Sequence, residues 1–155
     1  MNYYHSPLTQ DVNKVVNTNI NEILRGEISA VETYDSLLEK IKNSSRHFIL
    51  KTIREEHFAS IRYWRDEALN QGKFPQLDSA LWGDMVMLFV EASKSISTKT
   101  AIGMILKGEE HGLKNYQSML DAQFLTVDQK KKIKETFIPN QKDHIGALNS
   151  ILRQY

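Results

Sequence analysis

Residues 23–38, ILRGEISAVETYDSLL, and residues 105–120, ILKGEEHGLKNYQSML, are two versions of one sixteen-residue segment displaced by 82 positions. Ile23, Leu24, Gly26, Glu27, Tyr34 and Leu38 recur as Ile105, Leu106, Gly108, Glu109, Tyr116 and Leu120. A fainter echo follows each copy, where Glu56-His57 and Ile61 fall on Asp143-His144 and Leu148 at a displacement of 87. Self-similarity on this scale limits the fold more than any single motif, because each half must use the same pattern of buried faces. Two related helical hairpins joined by a long connection satisfy it, giving a bundle with internal pseudo-twofold symmetry.

The hairpins are helical because period-two alternation is nowhere sustained and apolar residues return every three or four positions. The first helix is expected from near Thr9 to Ile41, with Val12, Val16, Ile20, Ile23, Ala30, Tyr34, Leu37 and Ile41 on one stripe. Ser44 or Ser45 can cap the second, which carries Ile49, Ile53, Ile61, Trp64 and Ala68 and stops at Gly72. GKFPQLD, residues 72–78, reads as a loop ending in a capping Asp78, and LWGDMVMLFVEA as a short extra helix in the connection between helices 2 and 3. A third long helix follows the break at Ser95–Thr98, and Thr126 with Gln129 makes a capping box for the last, which runs to about Arg153. Pro139 lies inside that helix, where it removes a backbone donor and crowds the preceding turn, so a kink is expected there. The whole chain, 1–155, reads as a single all-α domain.

Composition excludes several function classes. With no cysteine, thiolate catalysis, disulfides and cysteine metal sites are impossible. A formal net charge of +1 lacks the electrostatic footprint of a nucleic-acid binder, and the one basic run, QKKKIK at 129–134, reads as a solvated helix face. The longest apolar run, MVMLFV at 85–90, is too short to span a bilayer. MNYYHSPLTQ at the start has neither the basic beginning nor the apolar stretch of a signal peptide. The expectation is a cytoplasmic protein with no nucleic-acid or membrane partner.

Within each repeat a polar residue occupies an apolar position. Glu27 lies on the stripe Ile20–Ile23–Ala30–Tyr34, and Glu109 on Ile102–Ile105–Leu113–Tyr116. His57 interrupts Leu50–Ile53–Ile61–Trp64, and His144 interrupts Phe137–Leu148–Ile151. A buried, unpartnered carboxylate is costly enough to be protonated or paired. Four such residues, one per helix and two of each type, can satisfy one another or hold a metal.

The motif GE-x6-Y on helices one and three, with a His on helices two and four, resembles the ferritin-like superfamily, particularly its rubrerythrin-type members. The resemblance covers roughly residues 11–153 and is nearest to a group of bacterial ferritin-like four-helix-bundle domains of unknown function. It implies a ferritin-like four-helix bundle, with a homodimer as the expected assembly. In di-iron members one Glu comes from each of two helices and a Glu-x-x-His from each of the other two. Glu27 and Glu109 match the lone glutamates, and His57 and His144 match the histidines. Three residues before these histidines stand Arg54 and Gln141, so the carboxylates that bridge two irons are absent. Arg54 is expected to set a cation against a second ion. Glu56 and Asp143, beside the histidines, are expected to face elsewhere, since adjacent helical positions point about 100° apart.

Two function classes stand side by side. One is a protein binding a single divalent ion (iron, manganese or zinc) through Glu27, His57, Glu109 and His144, with a redox, iron-handling or stress role. The other is a metal-free bundle in which Glu27 pairs with His57 or Arg54 and Glu109 with His144, setting register between hairpins without chemistry. Tyr34 and Tyr116 are candidates for hydrogen-bonding to the glutamates or for packing alone. No catalytic residue or substrate can be assigned, and His5, His47, His111 and Glu91 carry no expected role. Gly26 and Gly108, costly inside a helix, imply close helix packing or a local bulge. The apolar excess of LWGDMVMLFV is expected to cover the bundle or to serve self-association.

Overall fold

A computed structural model describes residues 7–42, 45–75, 95–123 and 125–155, together with Met87 and Glu91; side chains are described from Ile20 onward. Most of the described residues are helical, the rest are turns and short irregular stretches, and none forms a strand. The elements are α1 (Pro7–Lys40), α2 (Ser45–Asn70), α3 (Thr98–Met119), α4 (Val127–Lys132), a π-helical turn (Ile133–Phe137) and α5 (Ile138–Leu152). The last three run on as one rod, giving four long rods among the described residues. The expected connecting helix, the Asp78 cap, and the roles of Ser44 and His5 lie outside the described residues.

Local chemistry sets the ends of these rods. Gly72 takes a left-handed φ of 68°, and Lys73 and Gly72 donate to the carbonyls of Ala68 and Leu69, closing α2 with a Schellman motif. Ser97 caps α3 through the Thr100 amide. Thr126 and Gln129 exchange both bonds of the expected capping box at the start of α4. Pro139 falls in the first turn of α5, directly after the π turn, where Ile138 donates to the Ile133 carbonyl. The wider turn accommodates the proline ring and its missing donor without ending the helix.

α1 packs on α2 and on α3, while α5 packs on α3 and on α2. The rods thus close a ring around a shared interior. Two apolar clusters fill it. One joins Ile20, Leu24, Trp64, Tyr116, Ile133 and Phe137, and the other joins Tyr34, Leu37, Leu50, Ile102, Leu148 and Ile151. Along every rod the expected polar residue falls between these clusters: Glu27, His57, Glu109 and His144 are all buried. Ile49 departs from its expected stripe and is exposed, because Leu50 and Ile53 supply the inward face of that turn.

Among the described residues the two repeated glycines do not mark close packing. A Cβ built on Gly26 or Gly108 meets nothing within 4 Å among the described residues, and both positions are exposed. The glycine that does sit against a neighbour is Gly112, one turn beyond Glu109, and its role belongs to the site.

Candidate metal centre

The site is a polar layer held between two apolar ones. α1 contributes Glu27, α2 contributes His57 and Glu56, α3 contributes Glu109, and α5 contributes His144 and Gln141. Each of the four buried members lands inward because its flanking residues at helical spacing are apolar and drive that face into the core. All four expected residues therefore meet in one connected network.

Its centre is Glu109. Oε1 lies 2.9 Å from His57 Nε2, and Oε2 lies 3.3 Å from His144 Nδ1. The other nitrogen of each ring faces an outer carboxylate. His57 Nδ1 is 2.6 Å from Glu27 Oε2, and His144 Nε2 is 2.6 Å from Glu56 Oε2. Each imidazole is thus bracketed by the central carboxylate and one of its own.

The tyrosines complete the layer by crossing it. Tyr34 of α1 donates to Glu109 Oε1 at 2.6 Å, and Tyr116 of α3 donates to Glu27 Oε1 at 2.5 Å. This reciprocity requires α1 and α3 to run in opposite directions. Trp64 Nε1 donates in turn to the Tyr116 hydroxyl at 3.1 Å, tying Glu27 into the adjoining apolar cluster. The tyrosines are therefore hydrogen-bond donors as well as core residues, each to the glutamate on the other helix.

Electrostatics follow from burial opposed by pairing. Burial alone would push the His57 pKa down, but the Glu109 and Glu27 carboxylates reverse this and hold it at about 10. Burial would raise the Glu109 carboxyl, yet His57 and His144 keep it well below the usual carboxylate range. Burial, then the adjacent carboxylates, raise Tyr34 and Tyr116 well above the ordinary phenol value, so both hydroxyls remain protonated donors. At neutral pH His57 is an imidazolium shared between two carboxylates, Glu27 and Glu109.

Three sequence expectations change here. Arg54 does not enter the layer. It reaches outward to Asp35 on α1, Nε to Oδ1 at 2.9 Å and a terminal nitrogen to Oδ2 at 3.1 Å, with Glu55 beside it. A guanidinium is far cheaper to satisfy at that solvated edge than in the core. Glu56, expected to face away, reaches His144 from a half-exposed position. The backbone does aim it away from the His57 direction, but its three-carbon chain spans to the neighbouring rod. Gln141, known from sequence only as a missing carboxylate, is buried. Its carboxamide end faces Glu109, where only acceptors stand, so the nitrogen belongs on that side; placed there it donates to the backbone oxygen at 3.0 Å and to Oε2 at 2.6 Å.

Gln141 fits because Gly112 has no side chain. A Cβ there would lie 3.2 Å from both terminal amide atoms and 3.3 Å from Cδ, inside normal van der Waals contact. The sequence signal was a glycine three positions after a core glutamate, readable only once its opposite neighbour was known. His111 and Glu91 are exposed, and His47 Nδ1 lies 3.0 Å from the Ile41 carbonyl, away from the layer.

His57, Glu109 and His144 offer ligand atoms that all lie within 4.8 Å of one another, so the buried group can hold a metal ion. Two ligands at about 2.1 Å from one ion and adjacent around it stand roughly 3.0–3.5 Å apart. The His144–Glu109 separation of 3.3 Å falls in that range, and the His57–Glu109 separation of 2.9 Å, measured to the other carboxylate oxygen, lies just below it at hydrogen-bond length. At 3.3 Å the His144 contact is long for a hydrogen bond yet suited to a pair of ligands. No described helix is long and apolar enough to cross a membrane. Compared with protein-family models, curated proteins and solved structures, the chain matches none.

Proposed function

We propose that the chain is a ferritin-like four-helix bundle built from two related hairpins, whose polar layer binds one divalent metal ion. The observation that carries the metal reading is the convergence of two imidazole nitrogens on one buried carboxylate, His57 and His144 on Glu109. Support for paired hairpins comes from the reciprocal bonds of Tyr34 to Glu109 and Tyr116 to Glu27, which join equivalent positions of the two repeats. Two imidazoles and a carboxylate suit iron(II) and zinc(II), and manganese(II) through the oxygen donor. An ion there would supply Lewis-acid or one-electron chemistry in a site shielded by two apolar layers. The resemblance gives iron handling or a redox stress role as the working class, in the cytoplasm.

One ion fits better than two. Gln141 puts a neutral amide where a second bridging carboxylate would be needed, and it occupies Glu109 Oε2 as a donor. Glu27 sits on Nδ1 of His57, the nitrogen turned away from Glu109, and is not among the residues whose ligand atoms converge. The four-residue ligand set expected from sequence thus divides into His57, Glu109 and His144 around the ion, with Glu27 on the far nitrogen of His57.

A second reading has its own observation. Glu27, His57, Glu109 and His144 each engage protein partners through both of their polar ends. Such a closed layer can fix register between rods with no ion at all. Thermal unfolding of chelator-treated protein separates the two. Iron(II), manganese(II) or zinc(II) at about a hundredfold excess over its dissociation constant should stabilise the fold by about 2.7 kcal/mol. That is a rise of roughly 5–10 °C for a chain of this size. Glu109→Gln should lose the rise. Equal rises in both proteins would place the ions elsewhere, and no rise in either would favour the metal-free layer.

A further inference from the structure

The polar layer is asymmetric in how it supports its two histidines. His57 is backed by Glu27, whose remaining oxygen is clamped by Tyr116, itself held by Trp64. Every member of that chain is buried. His144 is backed by Glu56 alone, and the Glu56 side chain is 41% exposed, against 5% or less for Glu27, His57, Glu109 and His144. Glu56 is the one carboxylate of this network that faces both the core and solvent.

Resting on the metal reading above, we infer that Glu56 is a positioning residue for the ion. By accepting from His144 Nε2–H at 2.6 Å, it turns the ring so that Nδ1 faces Glu109. An imidazole has two nitrogens, and whichever is bound to a hydrogen-bond acceptor leaves the other as the metal donor. Without Glu56, the next partner for His144 is Glu109 itself. The ring is then free to turn Nε2 inward or to tilt outward to water, and the 3.3 Å donor pair is lost. Glu56 lies at the rim with 41% of its side chain exposed, so its replacement removes little buried volume. Its contribution is to one ring's orientation, the one with the weaker support.

Measurements on Glu56→Ala and Glu56→Gln test this. The carboxamide oxygen of Gln can still accept from Nε2–H, whereas Ala cannot. Zinc(II) dissociation constants, from competition with a chromophoric chelator, should weaken roughly 10- to 100-fold in Glu56→Ala and by much less in Glu56→Gln. Nitrogen-15 chemical shifts of His144 in the metal-free proteins should report Nε2–H in the wild type and a changed or averaged state in Glu56→Ala. Unchanged His144 shifts and an unchanged dissociation constant in Glu56→Ala would overturn the assignment to Glu56. Wild-type protein that binds no zinc(II), iron(II) or manganese(II) would overturn the metal reading instead. The metal-free shifts would then still show whether Glu56 orients the ring.

Discussion

Gly112 and Gly108 lie one turn apart on α3, and replacing each by alanine should change stability in opposite directions. Alanine inside a helix is favoured over glycine by about 1 kcal/mol. At Gly108 a new Cβ meets nothing within 4 Å among the described residues, so Gly108→Ala should gain about that amount. At Gly112 the same methyl group would stand 3.2 Å from the Gln141 amide atoms and 3.3 Å from Cδ. Gln141 is buried, and its amide is tied to Glu109 at 3.0 and 2.6 Å, so it cannot retreat without loosening a hydrogen bond to a carboxylate. Such bonds contribute about 1.5–3 kcal/mol. Against the gain of about 1 kcal/mol, Gly112→Ala should destabilise by about 0.5–2 kcal/mol. Urea unfolding in the presence of a chelator, followed by circular dichroism, measures both variants against the parent at constant slope. A Gly112→Ala midpoint equal to or above that of Gly108→Ala would refute the packing of Gln141 on Glu109.

The remaining predictions concern the same layer. Tyr116→Phe removes the donor to Glu27 and the acceptor of Trp64, and should cost about 1–3 kcal/mol in the same urea assay; a loss below about 0.5 kcal/mol would contradict those bonds. The metal-free protein should be most stable between about pH 4.3 and 6.5. His57, raised to about 10, contributes stability that is complete below its unfolded pKa and fades as pH climbs toward 10. Glu109, held below the carboxylate range, contributes stability that is complete above its unfolded pKa and fades as pH falls. The unfolding free energy from urea titrations should therefore decline from pH 6.5 to 9, by up to about 3 kcal/mol, and a flat profile would contradict the buried imidazolium. Because an ion must displace the proton on His57 Nε2, zinc(II) affinity should rise about tenfold per pH unit between roughly pH 6 and 8.

Much of this was legible in the sequence because burying a polar residue leaves a mark on periodicity. Glu27, His57, Glu109 and His144 each broke an apolar stripe, and each is buried. The Thr126–Gln129 box and the Gly72 stop were equally readable, being contacts between residues near in sequence. What escaped depends on reach across the bundle. Glu56 pointed away by helical geometry, yet its length carries it to His144 on another rod. Arg54 was expected inward by its spacing from His57, but Asp35 on α1 offers it a solvated partner instead. Gln141 and Gly112 matter only as a pair, and nothing local in either helix announces the other. The π turn before Pro139 also went unannounced, since the proline reports a missing donor and not how the turn adapts.

By the function proposed above, His57, Glu109 and His144 hold one divalent ion per chain. Isothermal titration calorimetry of zinc(II) into chelator-stripped, tag-free protein at pH 7.5 tests it most directly. The expected result is a single transition at one equivalent, absent in the Glu109→Gln variant while that variant remains folded by circular dichroism. No heat of binding in the parent, a transition at two equivalents, or an undiminished transition in Glu109→Gln would contradict it.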